Sequence, residues 1–337
     1  MAPGVLLAGM ELRKDPITRS WVITGEGMEA AFHEEGACRF CAGSTMPVQV
    51  VSSMPSLDGG PWSARAVVHP APLYRIEGDP QRSGNGLYDT MRTVGAHEVL
   101  VETPHHDRPL WKASDAEIGQ FLALAAQRIQ DLKRDPRFKY VTIFKNQGAA
   151  AGQEFAHPTW LLTATTFVPR RVLYELRAAR EYFDQKERCV LCDILAQEQR
   201  QNVRIVESIG DYVAACPYAP RVPYETWILP LTHEASFETG VLRRTHLNDL
   251  AALLRRTLVR LRAISEDFHL VVHTTPNTKS TRTLGYWTTL DDDYHWHIEI
   301  MPIVPGRSKS YTFKEVYYSD VTPESAAARL RDASPTL

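Results

Sequence analysis

Two C-x-x-C pairs, "CRFC" (Cys38, Cys41) and "CVLC" (Cys189, Cys192), stand about 150 residues apart, and each opens the same series of features. A strand-like run follows each pair: "HEVLVETPHHDRPL" (97–110) and "YETWILPLTHEASF" (224–237). In both, a glutamate (Glu98, Glu225) precedes a histidine (His106, His233) by the same interval, with alternating apolar residues between them. A long helical pattern comes next: "SDAEIGQFLALAAQRIQDLKRD", with Ser114 or Asp115 as cap, and "RRTHLNDLAALLRRTLVRLRAISED". Then a short strand, "YVTIFKNQG" (140–148) or "HLVVHTTPN" (269–277), leads to a histidine-bearing strand, "FAHPTWLLTATTFVP" (155–169) or "YHWHIEIMPIVP" (294–305). A series repeated in the same order marks a duplicated unit. The expected fold is α+β, with two tandem halves, each an antiparallel sheet with a long helix. The halves are expected at 1–175 and 176–337, with the charged, helical stretch 170–188 connecting them.

Composition narrows the function classes. The 337 residues carry a net charge of −2, which gives no electrostatic reason to expect nucleic acid or an acidic membrane as partner. No apolar run is long enough to cross a bilayer. The first residues, "MAPGVLLAGMELRKDP", hold too short an apolar stretch for a secretory signal, so a cytoplasmic location is expected. In such a reducing compartment, C-x-x-C pairs serve as metal half-sites or redox centres more often than as disulfides.

Zinc in a structural site takes four thiolate or imidazole ligands. The repeat offers two such sets: Cys38, Cys41, His106 and His157, then Cys189, Cys192, His233 and His295. His105 competes with His106 in the first set. His273, His297 and Glu175 offer a competing cluster near the second. One or two zinc ions per chain are therefore expected. Both sets are coordinatively closed, so they point to scaffolding, and the chemistry is sought beside them. Cys216, the remaining cysteine, reads as an inert buried thiol.

The stretches "LRKDPITRSWVI" (12–23), "CRFC", "HEVLVETPHH", "FKNQGAAAGQEFAHP" and "YHWHIEIMP" together resemble the galactose-1-phosphate uridylyltransferase family of the histidine-triad superfamily. The branch with two cysteine pairs, which includes ADP-glucose phosphorylase, is the nearer match. The resemblance covers nearly the whole chain in order. It implies two histidine-triad-like halves, zinc stabilisation, usually a homodimer, and nucleotidyl transfer to or from a phosphorylated small molecule. In the family a phosphate-binding loop precedes a His-Pro-His-x-Gln stretch. The first histidine of that stretch holds zinc and the second becomes nucleotidylated. Imidazole suits that role as both nucleophile and leaving group.

Laid onto this chain, Asn146, Gly148 and Gly152 match the phosphate loop, and His157-Pro158 match the zinc-binding step. Three departures follow. Glu154 replaces a small hydroxyl residue, Thr159 replaces the nucleophilic histidine, and Leu161 replaces glutamine. Threonine needs a base to attack phosphorus, and its phosphoester leaves poorly, so the family's covalent route is not expected here. A carboxylate beside a diphosphate repels it unless protonated or paired. Glu154 is a candidate general base, and His297, at the position in the second half corresponding to Thr159, is another. Arg13 and Lys14 are candidate phosphate contacts. Trp160 is placed to fill space or stack on a ring, and the polar loop 75–89 is placed to cover a pocket. The expected activity is direct transfer, phosphorolysis or hydrolysis on a nucleotide, nucleotide sugar or sugar phosphate. The alternatives are an enzyme repurposed around Glu154 for another small molecule, and a catalytically silent binding protein.

Overall fold

The computed structural model describes residues 10–25, 37–244, 247–280, 287–304 and 316–335. Part of the second helical stretch, residues 245–246, lies outside them. Four strands, β1 (Glu11–Lys14), β2 (Trp21–Thr24), β5 (Ser83–Asn85) and β6 (Tyr88–Arg92), form a small antiparallel sheet in the order β2-β1-β6-β5. The other ten form one large sheet. From the first half come β3 (Val50–Met54), β4 (Ala64–Val68), β7 (Gly95–Val101), β8 (Tyr140–Gln147) and β9 (Thr159–Thr165). From the second come β10 (Ile205–Ile209), β11 (Tyr212–Ala215), β12 (Thr226–Pro230), β13 (Phe268–His273) and β14 (His297–Pro302).

The order across the large sheet is β3-β4-β7-β9-β8 and then β13-β14-β12-β11-β10. The second five strands mirror the first, and the halves join where β8 pairs antiparallel with β13. The two antiparallel halves of the expected fold are thus fused edge to edge. This pairing removes the edge each half would otherwise expose at β8 and β13. The helices α1 (Asp115–Leu132) and α4 (Asn248–Arg262) occupy equivalent places in the two halves and pack against each other. Ser114 caps α1: its side chain accepts from the Glu117 backbone while Glu117 reaches back, a complete capping box. One core lies beneath both halves, with Phe121, Ile143 and Leu162 in the same cluster as Leu254, Leu270 and Ile298. The connecting stretch forms two helices, α2 (Arg170–Lys186) and α3 (Val190–Gln201), so the position 175/176 falls inside α2.

Strand alternation gives the sheet a helix face and an open face. Along β9, Trp160, Leu162 and Ala164 enter the core under the helices, whereas Thr159, Leu161 and Thr163 alternate with them and face the other way. Two expectations change here. Trp160 is 1% exposed, edge-on to Phe121 of α1, and its Nε1 donates to Glu102 at 2.8 Å. It cannot stack on a ligand from there. The segment 75–89 is not a free loop either, because its last part builds the β5–β6 hairpin of the small sheet.

Candidate active site and metal centres

The structure brings each proposed metal set together, with one donor atom from every member within 4.8 Å of the others. In the first, Cys38 Sγ lies 3.5 Å from His157 Nδ1, and Cys41 Sγ lies 3.5 Å from His106 Nδ1 and 3.7 Å from His157 Nδ1. In the second, Cys192 Sγ lies 3.3 Å from His233 Nδ1 and 3.5 Å from His295 Nδ1. A tetrahedral zinc with Zn–S of about 2.3 Å and Zn–N of about 2.05 Å has S···N edges of about 3.6 Å. The observed separations fit those edges. The far side of the rings fits too. His157 Nε2 faces Thr103 O at 2.8 Å, His233 Nε2 faces Asp291 O at 2.9 Å, and His295 Nε2 faces Pro230 O at 3.0 Å. A carbonyl accepts only from an N–H, so the proton sits on Nε2 and the Nδ1 lone pair points at the thiols. His106 is the member whose ring joins the first set; His105 stands outside it.

His157 and His295 stand two residues before the strands that open with Thr159 and His297, which makes Thr159 and His297 equivalent. Pairing then sets Val99 opposite Leu161 and Trp227 opposite Glu299, so Val99 and Trp227 are equivalent too. Glu98 and Glu225 are therefore offset by one residue, despite their matched distance from histidine, and a one-residue offset changes faces. Glu98 lies on the helix face, held bidentate by Arg128 at 2.7 and 2.8 Å. Glu225 lies on the open face with Arg221, whose guanidinium also reaches Glu299 at 2.6 Å.

On the first half's open face, Leu161 packs beside Phe40, Trp62, Val67, Val99, Val101 and Phe155. Thr159 is buried at the end of this patch, paired with Val101. Glu154 approaches from the preceding loop, and its Oε1 sits 2.7 Å from His69 Nε2. His69 Nδ1 accepts the Ala71 backbone N–H at 3.1 Å, so in the neutral ring Nε2 carries the proton and that N–H end faces the carboxylate. His69 thus orients Glu154 and is not itself a base. His69 also stacks at 3.9 Å on His97, whose pKa falls to about 3 because burial and the neighbouring His69 disfavour its charged form. A cleft of about 620 Å³ opens beside this pair.

The glycines of the loop have backbone reasons to be there. Gly148 (φ +83°) would drive a Cβ into Asp267, and Gly152 (φ +71°) closes a 3-10 turn in the left-handed region. Asn146 lies on the open face beside His269, 2.9 Å away. Arg13 and Lys14 do not approach this loop's end of the sheet. They belong to β1, where Arg13 pairs with Glu11 and Lys14 with Asp89.

His297 is 4% exposed and sits in a cluster with Glu175, His273 and Glu299, stacked on His273 at 4.5 Å. Burial opposes charging His273, but the carboxylates of Glu175 and Glu299, at 2.9 and 3.0 Å, outweigh it and raise its pKa to about 10. The opposite holds for His297, where burial and the charged His273 lower the pKa to about 4. With so little access to solvent, His297 is poorly placed to work on a substrate. Beneath Thr159, on the helix face, sequence reading missed a buried pair: Lys145 Nζ reaches Glu102 at 2.7 Å and the Thr159 carbonyl at 3.3 Å. Glu102 also accepts from Trp160 Nε1 and the Leu110 backbone.

Residues 74–229 match the family model for the N-terminal domain of galactose-1-phosphate uridyl transferase. ADP-glucose phosphorylase of Arabidopsis thaliana is 26% identical, over 97% of this chain and 93% of its own length. The galactose-1-phosphate uridylyltransferase of Thermotoga maritima is 24% identical, over 96% and 98%. A crystal structure of the Arabidopsis ADP-glucose phosphorylase with bound ADP-glucose superposes with a TM-score of 0.75 at 25% identity, covering 97% of this chain and 100% of that one. A uridylyltransferase structure does so with a TM-score of 0.77 at 25% identity, covering 96% and 98%. Over nearly its whole length the chain is similar to proteins of the galactose-1-phosphate uridylyltransferase-like family. Its named relatives, a phosphorylase and a uridylyltransferase, support a transferase-like enzyme, and no helix among its described residues is long and apolar enough to cross a membrane.

Proposed function

We propose that this uridylyltransferase-like chain acts on a nucleotide sugar or related phosphate ester by direct displacement at phosphorus, without a nucleotidyl-histidine. The relatives named for ADP-glucose phosphorolysis and uridylyl transfer support the substrate class. The carrying observation is the Glu154–His69 contact on the open face, level with His97 and Thr163. In this reading Glu154, oriented by His69, takes the proton from an attacking water or hydroxyl. The attacking oxygen bonds to phosphorus while the bond to the leaving phosphate breaks, and the proton stays on the carboxylate until product leaves. With inorganic phosphate as the attacking group no base is needed, and Glu154 then acts only on affinity. Asn146 and the loop around Gly148 and Gly152 are the proposed phosphate contacts.

Two zinc ions in the Cys₂His₂ sets would supply rigidity, anchoring His157 two residues before Thr159. The proposed setting is a cytoplasmic homodimer, testable by light scattering. A second reading is favoured by the apolar surroundings of Leu161: the same carboxylate serving a small molecule without a diphosphate. Phosphorus NMR of the protein with ADP-glucose, UDP-glucose and sugar phosphates, each with and without inorganic phosphate, separates the two. Turnover in the panel supports displacement at phosphorus, and a silent panel removes it.

A further inference from the structure

A second cleft, of about 520 Å³, lies between the small sheet, the segment after β9 and the start of α2. Lys14, Arg19, Arg82, Lys139, Arg170 and Arg177 line it, and no aspartate or glutamate is among its described lining residues. The cations come from four separate segments, so the fold, not local sequence, gathers them. Their mutual repulsion is only partly relieved. Lys14 pairs with Asp89 at 3.3 Å, Arg82 donates to the Thr166 carbonyl and Arg170 to Tyr174 Oη. Arg19 and Arg177 have no ion pair among the described residues. Trp21 and Phe167, ring centroids 5.9 Å apart, add aromatic surface to the same cleft.

Repelling cations held together around a concave, aromatic-lined space form a site for a multiply charged anion with a planar part. The volume exceeds what phosphate alone needs and falls in the range of small-ligand pockets. We propose that this cleft binds a nucleoside phosphate, with the phosphates on Arg19, Arg177 and their neighbours and the base against the aromatic wall. The cleft meets β8 and β9 at Lys139 and Thr166, whereas Asn146 and Thr159 lie at the opposite ends of those strands. Seven residues at about 3.3 Å each separate the two places by about 23 Å. Binding here is therefore independent of the chemistry proposed at Glu154.

The test uses the full chain, with ADP as probe and inorganic pyrophosphate as comparison. Hydrogen exchange locates binding, and calorimetry counts sites at low and high salt. The expected result is ADP-dependent protection of residues 14–21 and 166–177, lost in R19E/R177E with at least a tenfold drop in affinity for that site. The milder R177Q, which keeps the neutral hydrogen-bonding end, is expected to weaken it about threefold and covers the case in which the double variant misfolds. Protection confined to 146–159, or unchanged ADP binding in both variants, overturns the site. Pyrophosphate binding as tightly as ADP overturns the assignment to a nucleotide. A protein inactive at Glu154 still gives the full ADP result, so the two readings fail separately.

Discussion

Lys145 and Glu102 lie under Thr159 with side chains 2% and 0% exposed, which makes them the most sensitive polar pair in the first half. Removing one partner of a buried pair costs about 3–5 kcal/mol, because the other is left as an uncompensated buried charge. The two ends are not equivalent. In Lys145→Met, Glu102 keeps two donors, Trp160 Nε1 at 2.8 Å and the Leu110 N–H at 2.7 Å, so the loss belongs near the lower end, about 3 kcal/mol. In Glu102→Leu, Lys145 keeps only the Thr159 carbonyl at 3.3 Å, and Trp160 Nε1 and Leu110 N lose their acceptor. The loss then reaches about 5 kcal/mol or more, since each orphaned donor adds about 1–3 kcal/mol. The double variant has no buried charge left. It is expected to be less destabilised than the sum of the singles by about 2–3 kcal/mol, the upper part of the coupling range of about 0.5–3 kcal/mol for residues in contact. Urea unfolding of all four proteins, in zinc-saturated buffer, measures the cycle. Additive losses, or equal losses in the two singles, would refute the reasoning.

Metal analysis of the purified protein is expected to give two zinc ions per chain, with C41S and C192S each retaining one; a metal-free yet equally stable protein contradicts the Cys₂His₂ assignment. His273 gives a pH signature. Its folded pKa, raised to about 10, lies above its unfolded value near 6.5, so its contribution is full below about pH 6.5 and declines as pH rises towards 10. Unfolding free energies across pH 6.5–10 should fall more steeply in the parent than in His273→Gln; parallel curves contradict the pair of carboxylates as its cause. Glu154→Gln removes a negative charge where a diphosphate is proposed to sit. Its ADP-glucose affinity should rise several-fold while hydrolytic turnover falls about 10²-fold or more; weaker binding would show that Glu154 helps to hold the substrate.

The metal sets were legible because their spacing repeats. A C-x-x-C turn and two strand histidines are fixed by local geometry, and the sheet then carries them to one point. The duplication was legible from the same repeat, but the mirrored strand order and the fusion of β8 to β13 were not, because strand pairing between halves leaves no local signal. Facing was the weakest inference. Glu98 and Glu225 keep the same distance from their histidines yet lie on opposite faces, since one residue of offset inverts a strand. For Trp160 the space-filling alternative holds and ring stacking on a ligand does not, because its strand position faces the core, and its neighbour Thr159 shows how sharply adjacent positions differ. The partner of Glu154 was missed altogether. His69 lies 85 positions earlier, and its only signal is a His-Pro step, His69-Pro70, like that of His157-Pro158. Glu299 offered a clearer hint, continuing the period-two series of His295 and His297 on one face.

The absence of a histidine at position 159 is the claim on which the proposed chemistry rests. The direct measurement is phosphorus NMR and intact-mass analysis of the parent and T159H during incubation with ADP-glucose and inorganic phosphate. Turnover by the parent with no phosphorus-linked adduct, and a nucleotidyl adduct on T159H alone, is the predicted outcome. An adduct on the parent protein, or no reaction in the parent under any condition of the panel, would contradict it.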